Sequence, residues 1–274
     1  MYEKYFDMEH MPFSCNLPVD RLYTSKAIED AIGRLKYSID RQGFSVVMAD
    51  PGCGKSTLVR MLISRLPKDR YQPLYLSDSK LTPKWLYVGL IDQMGLEPKF
   101  YRGDSKCILQ KQLEQIKNSQ ERNIVVILDE AHLLGKETLE EFRFLLNCQC
   151  DSTSPLALVL MGQKELWSQK LRLHSYAAIR QRIDMHVILE RLGRSEIPHY
   201  IAAHLTYAGC KDSLFTSDAD DEIYKISTGI PRMINSICSK SLLYACQQQK
   251  RSIDGHMVRY VADHEMLGAE EFGV

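Results

Sequence analysis

Long hydrophobic runs are the first thing this 274-residue sequence lacks. The opening Met1-Tyr2-Glu3-Lys4-Tyr5 has no apolar core of a leader, and nothing approaches the roughly 18 consecutive apolar residues of a membrane span. The expectation is a soluble, cytoplasmic protein without a membrane partner. Excess charge is lacking too, with 35 Lys plus Arg against 35 Asp plus Glu. Coating of a polyanion through overall charge is excluded, so any nucleic-acid contact has to come from local patches. Zinc spacing is absent: the 8 cysteines are scattered, and the closest pair, Cys148 and Cys150, has no second pair or histidine cluster. They read as reduced, mostly buried thiols. There is no internal repeat, low-complexity linker, helix-turn-helix, zinc finger or basic stretch interleaved with aromatics. Sequence-specific reading of bases is therefore not expected, and a DNA contact would be to the backbone and salt-sensitive.

What is present is a core-forming composition, 45% apolar, and an alternation of two periods. Five apolar runs of strand length stand at 44–49, 73–77, 124–128, 156–161 and 186–190. Helical patterns separate them, at 57–66, 82–95, 105–119, 136–147 and 164–182. An earlier helix carries Ile28, Ile32, Leu35 and Ile39 at spacings of three and four. Near-continuous apolar strands alternating with helices predict an α/β fold with a five-stranded parallel sheet covered on both faces. After about residue 192 the strand signals stop and helices remain at 195–208, 217–228, 231–248 and 254–264. Ser217 with Asp220 reads as a capping box, and Gly229-Ile230-Pro231 stops one helix and starts the next. The expected division is a nucleotide-binding α/β domain over 1–192 and a helical lid over 193–274.

The run Ala49-Asp50-Pro51-Gly52-Cys53-Gly54-Lys55-Ser56-Thr57 lies between the first strand and a helix. Strand, glycine-bearing turn and helix start are what a phosphate-binding loop requires. Backbone N–H groups of Gly52, Cys53, Gly54 and Thr57 cradle phosphates, Lys55 reaches the β/γ-phosphates, and the Ser56 hydroxyl ligands Mg²⁺. The usual first glycine is Ala49 here, so that position must take a backbone angle a Cβ tolerates, while Gly52 and Gly54 can take positive φ. The strand Ile124-Val125-Val126-Ile127-Leu128 ends in Asp129-Glu130, which assigns Asp129 to Mg²⁺ and Glu130 to the attacking water. ATP and Mg²⁺ are the implied cofactors. Ala131-His132 completes the letters Asp-Glu-Ala-His, but the second lobe of a DEAH-box helicase is missing, and His132 reads as a turn residue.

Gln163, at the tip of the fourth strand, is the candidate γ-phosphate sensor, with Asn147 as an alternative. Arg182, then Arg180, are candidate arginine fingers reaching a neighbour's γ-phosphate. Arg232, in the first turn of a helix where the dipole favours anions, wants a phosphate. Residues 80–122 hold eight Lys/Arg against five Asp/Glu. Lys80, Lys84, Lys99, Arg102 and Lys106, joined by Lys136, form the candidate DNA face.

Several stretches resemble AAA+ ATPases of the ExeA-like (general secretion pathway protein A) branch. They are Tyr5-Phe6, Met11-Pro12-Phe13-Ser14 and Leu22-Tyr23; Asp129-Glu130-Ala131-His132-Leu133-Leu134; Val159-Leu160-Met161-Gly162-Gln163-Lys164-Glu165-Leu166; Gln181-Arg182-Ile183, Phe215-Thr216, and Gly229-Ile230-Pro231-Arg232-Met233-Ile234-Asn235. The resemblance implies ATP at a subunit interface, a ring or helical filament, and a segment from Pro12 to Tyr23, including Phe13, that folds over the adenine. This branch serves two tasks. In one, the ATPase is the front of a longer membrane-anchored protein that assembles a secretion channel. In the other, a stand-alone ATPase accompanies an integrase-type transposase, as in the MuB, TnsC and IstB helpers, and assembles on double-stranded DNA. Chain length and the missing membrane helix make the second the leading expectation and the secretion role the alternative.

Overall fold

The structure, a computed structural model, describes residues 2–14, 16–78, 81–119, 122–146, 154–210 and 212–266. In chain order the elements are α1 (Tyr2–Tyr5), α2 (Lys26–Asp40), β1 (Phe44–Ala49), α3 (Lys55–Arg65), β2 (Tyr71–Leu76), α4 (Pro83–Gln93), α5 (Arg102–Ser119), β3 (Asn123–Leu128), α6 (Lys136–Leu145) and β4 (Ala157–Gly162). There follow α7 (Ala177–Arg180), β5 (Met185–Leu189), α8 (Ile197–Tyr207), α9 (Ser217–Ser227), α10 (Pro231–Gln247) and α11 (Gly255–Glu265). The chain forms two compact units. One comprises 27–51 and 58–189, the other 1–26, 52–57 and 190–274.

The first unit is the α/β layer. Its five strands are all parallel in the order β2-β3-β4-β1-β5. β1 and β4 are buried at every residue, as apolar runs with both faces covered must be. The strand expected at 73–77 starts earlier, at Tyr71, and carries Pro73 inside it. A proline without an N–H is tolerated there because β2 is the edge of the sheet. The core between sheet and helices is built from Val46, Val126, Leu158 and Leu160 against Leu86, Leu90, Leu139 and Phe142.

The expected helix at 164–182 is the one element that fails. The chain makes a π-type segment at Leu166–Leu171, a 3₁₀ turn at His174–Tyr176 and the short α7. The Arg172 N–H donates to Trp167 O at 2.9 Å, one residue wider than an α turn. The Arg180 guanidinium donates to Leu171 O at 3.0 Å and Arg172 O at 2.8 Å. A side chain thus takes the carbonyls that a continuous helix would have paired with backbone.

The second unit is helical, with a core of Ile197, Ile201, Ile223, Ile234, Leu242 and Val258. Phe6 and Phe13 belong to that core, so the opening segment groups with the helices and not with the α/β layer where the expected boundary at 192 put it. The Ser217/Asp220 capping box is not formed. The N-cap is Thr216, and its hydroxyl donates to Ile253 O at 3.0 Å. The stop at Gly229 is formed, with φ +78. A Cβ there would stand 2.1 Å from Leu192 O, so this turn accepts only glycine. Pro231 is the first residue of α10.

Candidate nucleotide site

Ala49 is the last residue of β1, paired with Leu189 and buried. Extended backbone carries a Cβ without strain, which is why the missing glycine is tolerated. The chain then turns through Gly52 and Gly54, with φ +80 and +88, and enters α3 at Lys55. A Cβ on Gly52 would lie 3.0 Å from Arg232 Cβ and 3.1 Å from Ile230 Cγ2, and the Arg232 N–H donates to Gly52 O at 3.3 Å. The start of α10 is therefore in direct backbone contact with this turn. Lys55 is only 8% exposed, and no carboxylate pairs with it among the described residues. A buried cation without a counter-charge fits an anionic ligand such as phosphate. Cys53 is buried while Ser56 is exposed at the start of α3, which leaves its hydroxyl open to a ligand.

At the end of β3, Asp129 is buried and held from two sides. Oδ1 accepts the Glu130 N–H at 2.8 Å, and Oδ2 accepts the Tyr75 hydroxyl at 3.1 Å. Tyr75 stands on β2 opposite Ile127, a placement no local signal announced. Burial, then the Asp129 charge and hydrogen bond, push its phenol up to about 12, so it stays a donor at any ordinary pH. An oriented carboxylate of this kind suits a hard divalent cation such as Mg²⁺.

Glu130 has φ +53 and ψ 30, a left-handed conformation that costs a non-glycine residue of order 1 kcal/mol. Its carboxylate stays partly exposed. The His132 Nδ1 lies 3.6 Å from Glu130 Oε2, so this turn histidine faces the Asp129-Glu130 pair. Gln163 follows β4 directly and is half-buried. Its neighbour Lys164 pairs with Asp50 at 2.8 Å, tying the β4 tip to the start of the loop after β1. Asn147, Cys148 and Cys150 lie outside the described residues. Of the five described free cysteines, only Cys53 and Cys238 are buried, fewer than the mostly buried set expected.

Other sequence-predicted residues are placed differently. Phe13, with φ +57, is buried and stacked on His204 at 5.1 Å with 17° between planes, and Pro12 is buried beside it in sequence. Both faces of a base-stacking residue cannot be spent inside a core, so Phe13 anchors its segment and does not offer its ring to adenine. Tyr23 packs edge-on against Tyr200 at 5.6 Å and stays half-buried. His204, between Phe13 and Tyr200, is driven by burial down to about 4 and is neutral. Arg180 caps the π segment, which removes it as a finger, whereas Arg182 lies half-exposed past the end of α7.

On the face of α4, α5 and α6 the charges sort into two groups. Glu141 is buried and pairs with Lys106 at 3.2 Å and Arg102 at 3.4 Å, and it also accepts the Tyr87 hydroxyl. Arg102 and Lys106 are thus partly neutralised, contrary to their reading as open phosphate contacts. Lys136 pairs with Glu140 at 3.8 Å, an exposed and weak pair. Lys84 and Lys99 have no carboxylate partner among the described residues. Lys80 lies outside them. The missing aromatic interleaving appears in space: Lys84 stands over the Phe100 ring at 4.5 Å and Lys106 over Phe144 at 3.9 Å.

Residues 38–169 match the family described as AAA domain. The chain is 30% identical over 280 residues to general secretion pathway protein A of Aeromonas hydrophila, an alignment covering 100% of this chain and 50% of that protein. It thus spans half the length of that curated relative. Among solved structures, it is similar to Drosophila ORC bound to DNA, with TM-score 0.67 and 17% identity over 98% of this chain and 66% of that one. Cdc6p of Pyrobaculum aerophilum gives TM-score 0.67 and 16% identity over 96% and 71% of the two chains. The RuvB Holliday junction branch migration motor of Thermotoga maritima gives 0.55 and 18% over 88% and 69%. No helix among the described residues is long and apolar enough to cross a membrane. With the parallel sheet, the phosphate-loop turn after β1 and the carboxylate pair after β3, these likenesses agree on one fold: residues 38–169 match the AAA domain family, and the chain has the α/β P-loop fold of AAA+ proteins.

Proposed function

We propose that this ATPase acts as an ATP-dependent switch, assembling as a ring or filament on double-stranded DNA and regulating a transposase or related integrase in the cytoplasm. Gly52, Cys53, Gly54, Lys55 and Thr57 hold the phosphates of ATP, with Arg232 beside the turn, and Ser56 and Asp129 hold Mg²⁺. When bound, the metal supplies positive charge that draws electron density from the transferring phosphoryl group. Glu130 accepts the proton of the attacking water, Gln163 orients that water, and Arg182 reaches the site of a neighbouring subunit. The lysines of α4 and of the loop before α5, Lys84 and Lys99, contact DNA phosphates, and repetition around an assembly multiplies their modest charge.

The observation that carries the DNA reading is that Lys84 and Lys99 lack carboxylate partners among the described residues in a chain whose fold neighbours include Drosophila ORC bound to DNA. A second reading, an ATPase that helps assemble a secretion system without binding DNA, is favoured by the similarity to general secretion pathway protein A. Steady-state ATP hydrolysis at low salt, with and without duplex DNA and with sedimentation in parallel, separates the two. DNA stimulation with an ATP-dependent rise in mass on DNA supports the first reading, and no DNA binding with ATP present sinks it. Glu130→Gln is expected to keep ATP binding and lose about 10²–10⁴-fold in turnover. Unchanged turnover refutes the role given to Glu130.

A further inference from the structure

The three most exposed large rings of the described chain share one strip with a fourth, Phe144, while Tyr37, 53% exposed, stands apart on α2. Phe100 is 78% exposed, Tyr101 70%, Trp85 56% and Phe144 51%. Cations connect them: Phe144 carries the Lys106 ammonium, Lys106 and Arg102 share Glu141, Arg102 follows Tyr101 and Phe100, and Phe100 carries Lys84, the neighbour of Trp85. Phe100 and Tyr101 meet edge to face at 5.2 Å. Four rings open to water beside three cations, on α4, the loop before α5, α5 and α6, are costly to display unless something covers them.

We infer that this strip binds the unstacked bases of a DNA strand, the rings stacking on base faces and Lys84 and Lys99 holding the adjacent phosphates. The inference rests on the DNA reading above and changes its substrate from intact duplex to single-stranded or unpaired DNA. An intact duplex offers phosphates and groove edges but hides its base faces, so it would leave the rings uncovered. A protein partner would also cover rings, but cores of protein interfaces are depleted in lysine, and here lysines sit directly on the aromatic faces. The charge balance agrees: the one buried carboxylate of the strip, Glu141, is shared by two cations.

The test is anisotropy of a labelled oligonucleotide, single-stranded and as duplex, titrated with the ATP-bound protein at one salt concentration. Quenching of Trp85 fluorescence is read in a Trp167→Phe background. Phe100→Ala and Tyr101→Ala alter exposed rings and leave the core intact. The expected result is tighter binding of the single strand than of the duplex, Trp85 quenching on binding, and about tenfold or greater weakening for each ring removed. Equal affinity for duplex, insensitive to both ring substitutions but weakened by Lys84→Ala, overturns the inference and leaves the backbone reading standing. Self-association without DNA that is lost in Phe100→Ala also overturns it and makes the strip a contact between copies. Binding of neither form of DNA overturns the inference and the DNA reading together.

Discussion

Replacing Tyr75 by Phe removes one oxygen and leaves the packing of β2 intact, so its consequences report on a single hydrogen bond. The hydroxyl donates to Asp129 Oδ2 at 3.1 Å, while Oδ1 keeps the Glu130 N–H at 2.8 Å. Hydrogen bonds to charged groups contribute about 1.5–3 kcal/mol. The ring is half-buried and the bond is on the long side, so the lower figure applies, about tenfold in an equilibrium constant. What is lost is orientation of the carboxylate that holds Mg²⁺, and outer partners of metal ligands characteristically act on metal affinity. The Mg²⁺ concentration giving half-maximal ATP hydrolysis is therefore expected to rise about tenfold, with turnover at saturating Mg²⁺ changed by less than about threefold. Because the phenol is pushed up to about 12, the effect is expected to be the same across the range from about pH 6 to about pH 9. A magnesium titration of ATPase activity for the two proteins decides it. An unchanged midpoint refutes the role given to Tyr75, and a large loss of turnover with an unchanged midpoint moves Tyr75 to the reacting atoms.

Two further perturbations probe the helical unit. Asp220 is raised from 3.8 to about 6 by burial and then by Asp221 and Asp218, and its Oδ1 is buried without a hydrogen-bond partner among the described residues. The native state then holds this proton more tightly than the unfolded chain, so stability falls as pH rises from about 4 to about 6 and stays lower above that. Asp220→Asn is expected to gain roughly 1 kcal/mol in urea unfolding at neutral pH, after allowing for the half-exposure of the group, with the gain vanishing toward pH 4. A gain of equal size at both pH values would trace to packing instead. Phe13→Ala opens the stack on His204 and is expected to cost about 3 kcal/mol in thermal or urea unfolding, with KM for ATP unchanged well below the transition. A raised KM at unchanged stability would return the ring to the adenine.

The parts legible in the sequence are those whose chemistry is local in the chain. A phosphate loop needs only a strand end, glycines at positive φ and a helix start, so Gly52, Gly54 and Lys55 declare themselves within nine residues. Strands of a parallel sheet covered on both faces are apolar throughout, which is why β1, β3 and β4 stand out so clearly. What escaped notice depends on register or on a distant partner. Tyr75 meets Asp129 only because β2 pairs with β3 in the register that sets Tyr75 opposite Ile127. Glu141 reads as one more acid on an amphipathic helix until α4 and α5 supply Tyr87, Arg102 and Lys106. The broken helix at 164–182 follows the same logic: its apolar spacing suits a helix, and the competing pattern is a guanidinium eight and nine residues away that claims the carbonyls of Arg172 and Leu171. Charge counted along the chain therefore overstates what a surface can offer. Of the cations assigned to DNA, Arg102 and Lys106 answer first to a buried carboxylate, and the ones left for a polyanion are those whose neighbours are aromatic or absent.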